Sequence, residues 1–220
     1  MENLDLKTVE KNYIVLRGKI HEKIEFSHEA FGEKFYKSEI AVKRLSGDID
    51  YINIIMSEID MKNIKLDKDD LIEIEGQIRS YNYYYENKDE TKRRLVVNVF
   101  VKNIKKITEN EIEENKEETN KVILIGTLCK KPIYRKTPFG REISDMMLAV
   151  NRNYKKSDYL PVIAWGRNAR FVSNLEVGEK IKVIGRFQSR DYNKVYDNGK
   201  EIKKRAYEIS ALDIELLEEE

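Results

Sequence analysis

The chain has 220 residues, 37% charged and 40% hydrophobic, with a net charge of +1; that length suits one large domain or two ordinary ones, and the composition is not apolar-poor enough for disorder. Near-neutrality excludes a purely electrostatic blanket for nucleic acid, and apolar runs as short as Val122 to Ile125 exclude a membrane-spanning helix. The opening MENLDLKTVEK has no signal-peptide core and the single cysteine, Cys129, can form no intrachain disulfide, so a cytoplasmic protein is expected.

In chain order, His21 and His28 fall near a turn between a first and a second strand, where exposure is expected. Tyr51 to Met56 is rich in β-branched residues and sets Ile52, Ile54 and Met56 on one face of a strand. Glu58 to Ile64 is a weak helical candidate, Leu71 to Glu75 alternates as a strand, and Leu95 to Val101 reads as another. The run Glu109 to Glu118, ENEIEENKEE, reads as a solvated acidic linker, with a short surface helix as the alternative. Beyond it, Asn168 to Leu175 is a helix whose inward stripe is Ala169, Val172 and Leu175, while Ile181 to Ile184 and Tyr207 to Ile214 are strands.

The two halves repeat one another. A shift of 108 residues lays Gly18 on Gly126, Phe31-Gly32 on Phe139-Gly140, Arg44 on Arg152 and Asp50-Tyr51 on Asp158-Tyr159. With two single-residue insertions, Gly76 then meets Gly185, Ser80 meets Ser189, and Val97, Val99 and Ile104 meet Tyr207, Ile209 and Ile214. Matches that keep their order over such a span indicate two copies of one domain, about 9–108 and 120–217, joined by 109–119. Each copy is ordered strand, strand, strand, short helix, strand, long hairpin loop, strand, which suits an all-β, five-stranded Greek-key barrel of OB type. An SH3-like barrel or a sandwich suits the composition nearly as well. The halves differ in charge: residues 1–119 hold 21 Lys/Arg and 26 Asp/Glu, net −5, and residues 120–220 hold 20 and 14, net +6. A basic half suggests a polyanionic partner.

The sequence has no P-loop, dinucleotide fingerprint or zinc-ligand spacing, so no enzyme activity, cofactor or metal is expected. It does have aromatic rings beside cations. Period two from Gly185 puts Arg186, Gln188, Arg190 and Tyr192 on one face. In the preceding strand Leu160, Val162 and Ala164 suit an interior, leaving Tyr159, Pro161, Ile163 and Trp165 outside. Arg152 and Tyr154 enter a loop beside Lys155 and Lys156, and Tyr81, Tyr83 and Tyr85 share a face with Arg79 in a run that also holds Tyr84. Bases stack on such rings and cations follow the phosphates, whereas a duplex hides its base faces. The competing reading makes Trp165 a core residue and the tyrosine-rich run a solvated face.

Asn120 to Leu128, Arg135 to Gly140, Leu148 to Arg152, Asp158 to Gly166 and Gly185 to Arg190 together resemble bacterial single-stranded DNA-binding proteins, over about residues 120–210. The resemblance implies OB barrels with single-stranded DNA wrapped around them. It puts stacking rings at Tyr154, Tyr159, Trp165 and Tyr192, and phosphate contacts near Arg152, Arg167, Arg186 and Arg190. In the first copy, Ser46 and Ser57 stand where Tyr154 and Trp165 stand in the second, leaving Tyr51, Tyr81, Tyr83, Arg44 and Arg79 as candidates. The family's four-barrel habit implies a homodimer. Replication and repair proteins remain possible partners, although the family's acidic, aromatic C-terminal tip has no counterpart at Leu216 to Glu220.

These features lead to a sequence-tolerant single-stranded DNA-binding protein acting in replication, recombination or repair, with 120–220 the stronger binder. The alternatives are an OB-fold adaptor, such as a primosome or mobile-element accessory factor with weak DNA binding, and an undetected nuclease.

Overall fold

The computed structural model describes residues 11–87, 90–152, 156–195, 199 and 201–218. The first half runs β1 (Asn12–Ile20), β2 (Glu25–Ala30), β3 (Glu33–Lys43), β4 (Ile49–Ser57), β5 (Leu71–Asn87) and β6 (Glu90–Lys106). After α1 (Glu109–Glu114) and a 3-10 turn (Lys116–Glu118), the order repeats. It does so as β7 (Asn120–Leu128), β8 (Ile133–Lys136), β9 (Glu142–Asn151), β10 (Ser157–Trp165), β11 (Lys180–Val195) and β12 (Glu201–Leu217), with α2 (Gly166–Val172) after β10. β1 pairs with both β3 and β5, which closes the ring β1-β3-β4-β6-β5; β7 closes β7-β9-β10-β12-β11 in the same way. These are two tandem OB barrels.

The repeated glycines sit where the barrels close. A Cβ on Gly18 would overlap the Ala41 carbonyl oxygen, and one on Gly126 would lie 2.7 Å from that of Ala149. Inside, the alternation holds: Ile52, Ile54 and Met56 are fully buried, as are Leu160 and Ala164, with Ala169 and Val172 of α2 beneath them.

Four local expectations change. Each barrel has a sixth, short strand, β2 on β3 and β8 on β9, and His28 lies exposed within β2. The long hairpins are paired ribbons rather than loops, with β5–β6 in register out to Asn87↔Glu90 and β11–β12 to Val195↔Glu201. Residues 58–63 form turns, not a helix, with the Ser57 Oγ accepting from Asp60 N at 3.1 Å. The acidic run is helical: Thr108 and Glu111 form a reciprocal capping box, and Glu109 and Glu111 lie at the positive end of the helix dipole.

The barrels are fused edge to edge into one 12-stranded sheet through antiparallel β1–β7 pairing. The register is pseudo-symmetric, Asn12 lying opposite Leu124 and Leu16 opposite Asn120. Each asparagine clasps the backbone of the neighbouring strand. The Asn12 amide donates to Ile78 O (2.7 Å) and accepts from Ile78 N (2.8 Å), and Asn120 does the same to Phe187 at the same two distances.

Candidate nucleic-acid interface

On the second barrel, β10 turns Tyr159 and Trp165 outward, at 47% and 40% exposure, while Ile163 between them is 6% exposed and buried. Trp165 caps the start of α2, and its indole Nε1 donates to Ser210 Oγ of the adjacent β12 at 3.2 Å, which fixes the ring on the sheet surface. Tyr192 is also 40% exposed and lies in β11, not in a loop. Arg167 and Arg190 are exposed, Arg186 is half-buried, and among the described residues none of the three meets a carboxylate. Exposed rings and guanidiniums thus lie on β10, on β11 and at the start of α2, with β12 between the two strands. Tyr154 lies outside the described residues. On the β5–β6 ribbon, Tyr81 and Tyr83 are exposed, the Tyr83 and Tyr85 rings are stacked 6.3 Å apart, and the Arg94 guanidinium lies 5.6 Å from the Tyr83 ring centroid.

Three arginines have another job. Arg152 grips Asp158, with Nε at 2.7 Å from Oδ2, and its Nη2 reaches Ser80 O of the first barrel at 2.8 Å. Asp158 also accepts from Ser80 N at 2.5 Å and from Arg79 at 3.4 Å, while Tyr159 N donates to Ser80 Oγ at 2.8 Å. The other copy repeats this set except for Arg79, whose position holds Gln188. Arg44 grips Asp50 at 2.6 and 2.8 Å and donates to Ser189 O at 3.0 Å; Ser189 N donates to Asp50 Oδ1, and Tyr51 N to Ser189 Oγ. Both aspartates are buried. Arg44, Arg79 and Arg152, expected above to meet phosphates, are thus engaged within the protein, Arg44 by Asp50 and the other two by the one Asp158 carboxylate, and they link one barrel to the other.

Tyr51 also differs from its counterpart Tyr159. The His21 ring lies 4.6 Å from it, and the Arg205 guanidinium sits 4.9 Å from its centroid. Arg205 is held there by Glu39 and Asp191. Burial raises the Glu39 carboxyl above its usual range and outweighs the lowering by Arg205. His21, Glu22 and Glu39 form a group whose ligand atoms could converge on a cation, but Arg205 already occupies that carboxylate.

The first barrel has a groove that sequence reasoning missed, with a volume of about 1200 Å³. Phe31, Tyr81, Phe100, Lys11, Lys102 and Lys156 line it, and among the described residues no aspartate or glutamate does. His28, which also lines the groove, stacks on Phe35 at 4.9 Å, and Phe35 meets Phe100 at 5.6 Å. The signal was in the sequence, but across strands. Ile55 faces Phe100 as Ile163 faces Ser210, so the positions of Trp165 and Ser210 in the second barrel are held by Ser57 and Phe100 in the first: the ring is on the neighbouring strand.

Residues 119–217 match the single-strand binding protein family. The single-stranded DNA-binding protein of Caldanaerobacter subterraneus subsp. tengcongensis is 34% identical over 106 residues, 45% of this chain and 68% of that protein. Single-stranded DNA-binding protein 3 of Clostridium acetobutylicum is 38% identical over 81 residues, 34% of this chain and 56% of that protein. The chain thus spans a little over half the length of the first curated relatives it matches, 56% and 55%. The wild-type single-stranded DNA-binding protein of Thermus aquaticus shares the fold, with a TM-score of 0.72 at 22% identity, covering 95% of this chain and 94% of that one.

Proposed function

Because this chain belongs to the single-strand binding protein family, we propose that it binds single-stranded DNA with little sequence preference and shields it during replication, recombination or repair. Proteins of this family bind rather than catalyse. The observation that carries the reading is the open face of the second barrel, where Tyr159, Trp165 and Tyr192 are 40% to 47% exposed beside three arginines without carboxylate partners among the described residues. Each base stacked on such a ring contributes about 1–3 kcal/mol, and every base has a face to stack. A duplex keeps those faces internal. Competition between oligo-dT and an intact duplex of equal length therefore tests the reading, with at least about a tenfold preference for the single strand expected. Equal affinity for the two forms sinks it.

Two barrels per chain make a homodimer the route to four barrels, and closed symmetric assemblies are the common case. Light scattering at micromolar concentration is expected to give twice the chain mass, and a monomer mass with and without DNA removes this part. The proposed setting is the cytoplasm; among the described residues no helix is long and apolar enough to cross a membrane.

A further inference from the structure

We propose that the first barrel holds its own bases of the single strand in a relocated site, the groove bounded by Phe31, Phe100 and Tyr81, and not at Tyr51, the ring its sequence nominates. This rests on the single-strand reading above and names where that activity resides in the first barrel.

Four observations converge. First, among the described residues that line the groove there is no aspartate or glutamate, while Lys11, Lys102 and Lys156 are there. A concavity lined by cations and no carboxylate is complementary to phosphate. Second, Phe31 is fully exposed at the β2–β3 hairpin tip with φ +52°, followed by Gly32 at φ +78°. A turn with two positive φ values favours asparagine and glycine. A phenylalanine there is strained and covers no core, which points to a role for the ring in the groove it overhangs. Third, Phe100 stands in the ring–serine pair that Trp165 and Ser210 form in the other barrel, with the roles of the strands exchanged. Fourth, Tyr51 is already occupied, between the His21 ring and the Arg205 guanidinium. A base would have to displace an arginine held by two carboxylates, Glu39 and Asp191.

The occupant is a run of unpaired bases with its phosphates. The groove offers rings to stack on and lysines at the rim, and Lys156 and Asn151 at its edge come from the second barrel. A strand leaving the groove on that side is handed to the barrel that carries Tyr159.

The test uses the full chain with the second barrel's rings removed, as Tyr159→Ala with Trp165→Ala, and labelled oligo-dT read by anisotropy. This background is expected to keep measurable binding. Adding Phe31→Asn and Phe100→Leu is then expected to weaken it by at least about tenfold, the loss of two stacked bases, while adding Tyr51→Leu changes it by less than about twofold. Loss of all binding in the background, or a larger loss from Tyr51→Leu than from the phenylalanine pair, overturns the proposal. Phe31→Asn suits the positive φ and leaves the core untouched, so that single variant, expected to cost about fivefold or more, decides the matter if the Phe100 variant fails to fold; no loss from it overturns the proposal. Failure of the parent reading looks different, because the unmodified chain would then show no preference for dT over duplex.

Discussion

Asp158 is fully buried and accepts hydrogen bonds from the Arg152 and Arg79 guanidiniums and from the Ser80 backbone. A buried carboxylate is tolerable only with every lone pair satisfied, and stripping it away strands its partners. Asp158→Ala is expected to destabilise the chain by about 3–5 kcal/mol, because two guanidiniums lose their counter-charge at the seam between the barrels. Exposed Arg167→Ala is expected to leave stability within about 0.5 kcal/mol. Urea unfolding of the two variants decides this, and a cost below about 1 kcal/mol for Asp158→Ala would show that the seam does not depend on it. This seam explains why the repeat was visible. Three of the pairs that coincide on self-comparison, Arg44 and Arg152, Asp50 and Asp158, Ser80 and Ser189, cross between barrels. Their identity was legible and their role was not. An arginine that neutralises a carboxylate six residues on looks, in sequence, like one that awaits a phosphate.

The two long ribbons show where local patterning misleads. Tyr83 to Glu86 and Asn193 to Val195 have no buried face, so period two carried no apolar signal and the segments read as loops, although backbone pairing continues through them. The barrel strands, which do have an inner face, were legible. What pins the second ribbon is Asp191. Hydrogen bonds from Arg205 (2.7 Å) and Lys203 (3.0 Å) hold its carboxyl down from 3.8 to about 2. A carboxyl whose folded value lies below its unfolded one stabilises the fold above the unfolded value, and that contribution disappears as pH falls through the folded value. Asp191→Asn is therefore expected to melt below the unmodified chain at pH 6, with the two melting temperatures converging between about pH 4 and pH 2. A gap that stays constant down to pH 2 would mean the ion pair contributes nothing to the ribbon. The ring exchange between Ser57 and Phe100 escaped for a related reason. Alignment compares a position with its repeat, whereas a stacking surface depends on which of two neighbouring strands supplies the ring.

At the scale of the molecule, the −5 and +6 halves suggested that the second barrel is the stronger binder, but net charge does not tell which cations are left to meet phosphate. Arg44, Arg79 and Arg152 are committed to Asp50 and Asp158, so the phosphate-facing charge is smaller than a tally of arginines indicates. On single strands each neutralised phosphate contributes about −0.7 to the slope of log affinity against log salt. Arg167, Arg186 and Arg190, without carboxylate partners among the described residues, are among the groups that can supply it on the second barrel. Replacing all three by alanine is expected to flatten the slope by about 2. It should leave the dT-over-duplex preference largely in place, because that preference comes from the rings. Arg44→Ala is the contrasting case: its loss should appear in the urea midpoint and not in the salt slope. Titrations of oligo-dT from low to moderate salt separate the two kinds of arginine. If the triple variant kept the original slope, the phosphates would lie elsewhere, and the lysines of the first barrel's groove would be the next to replace.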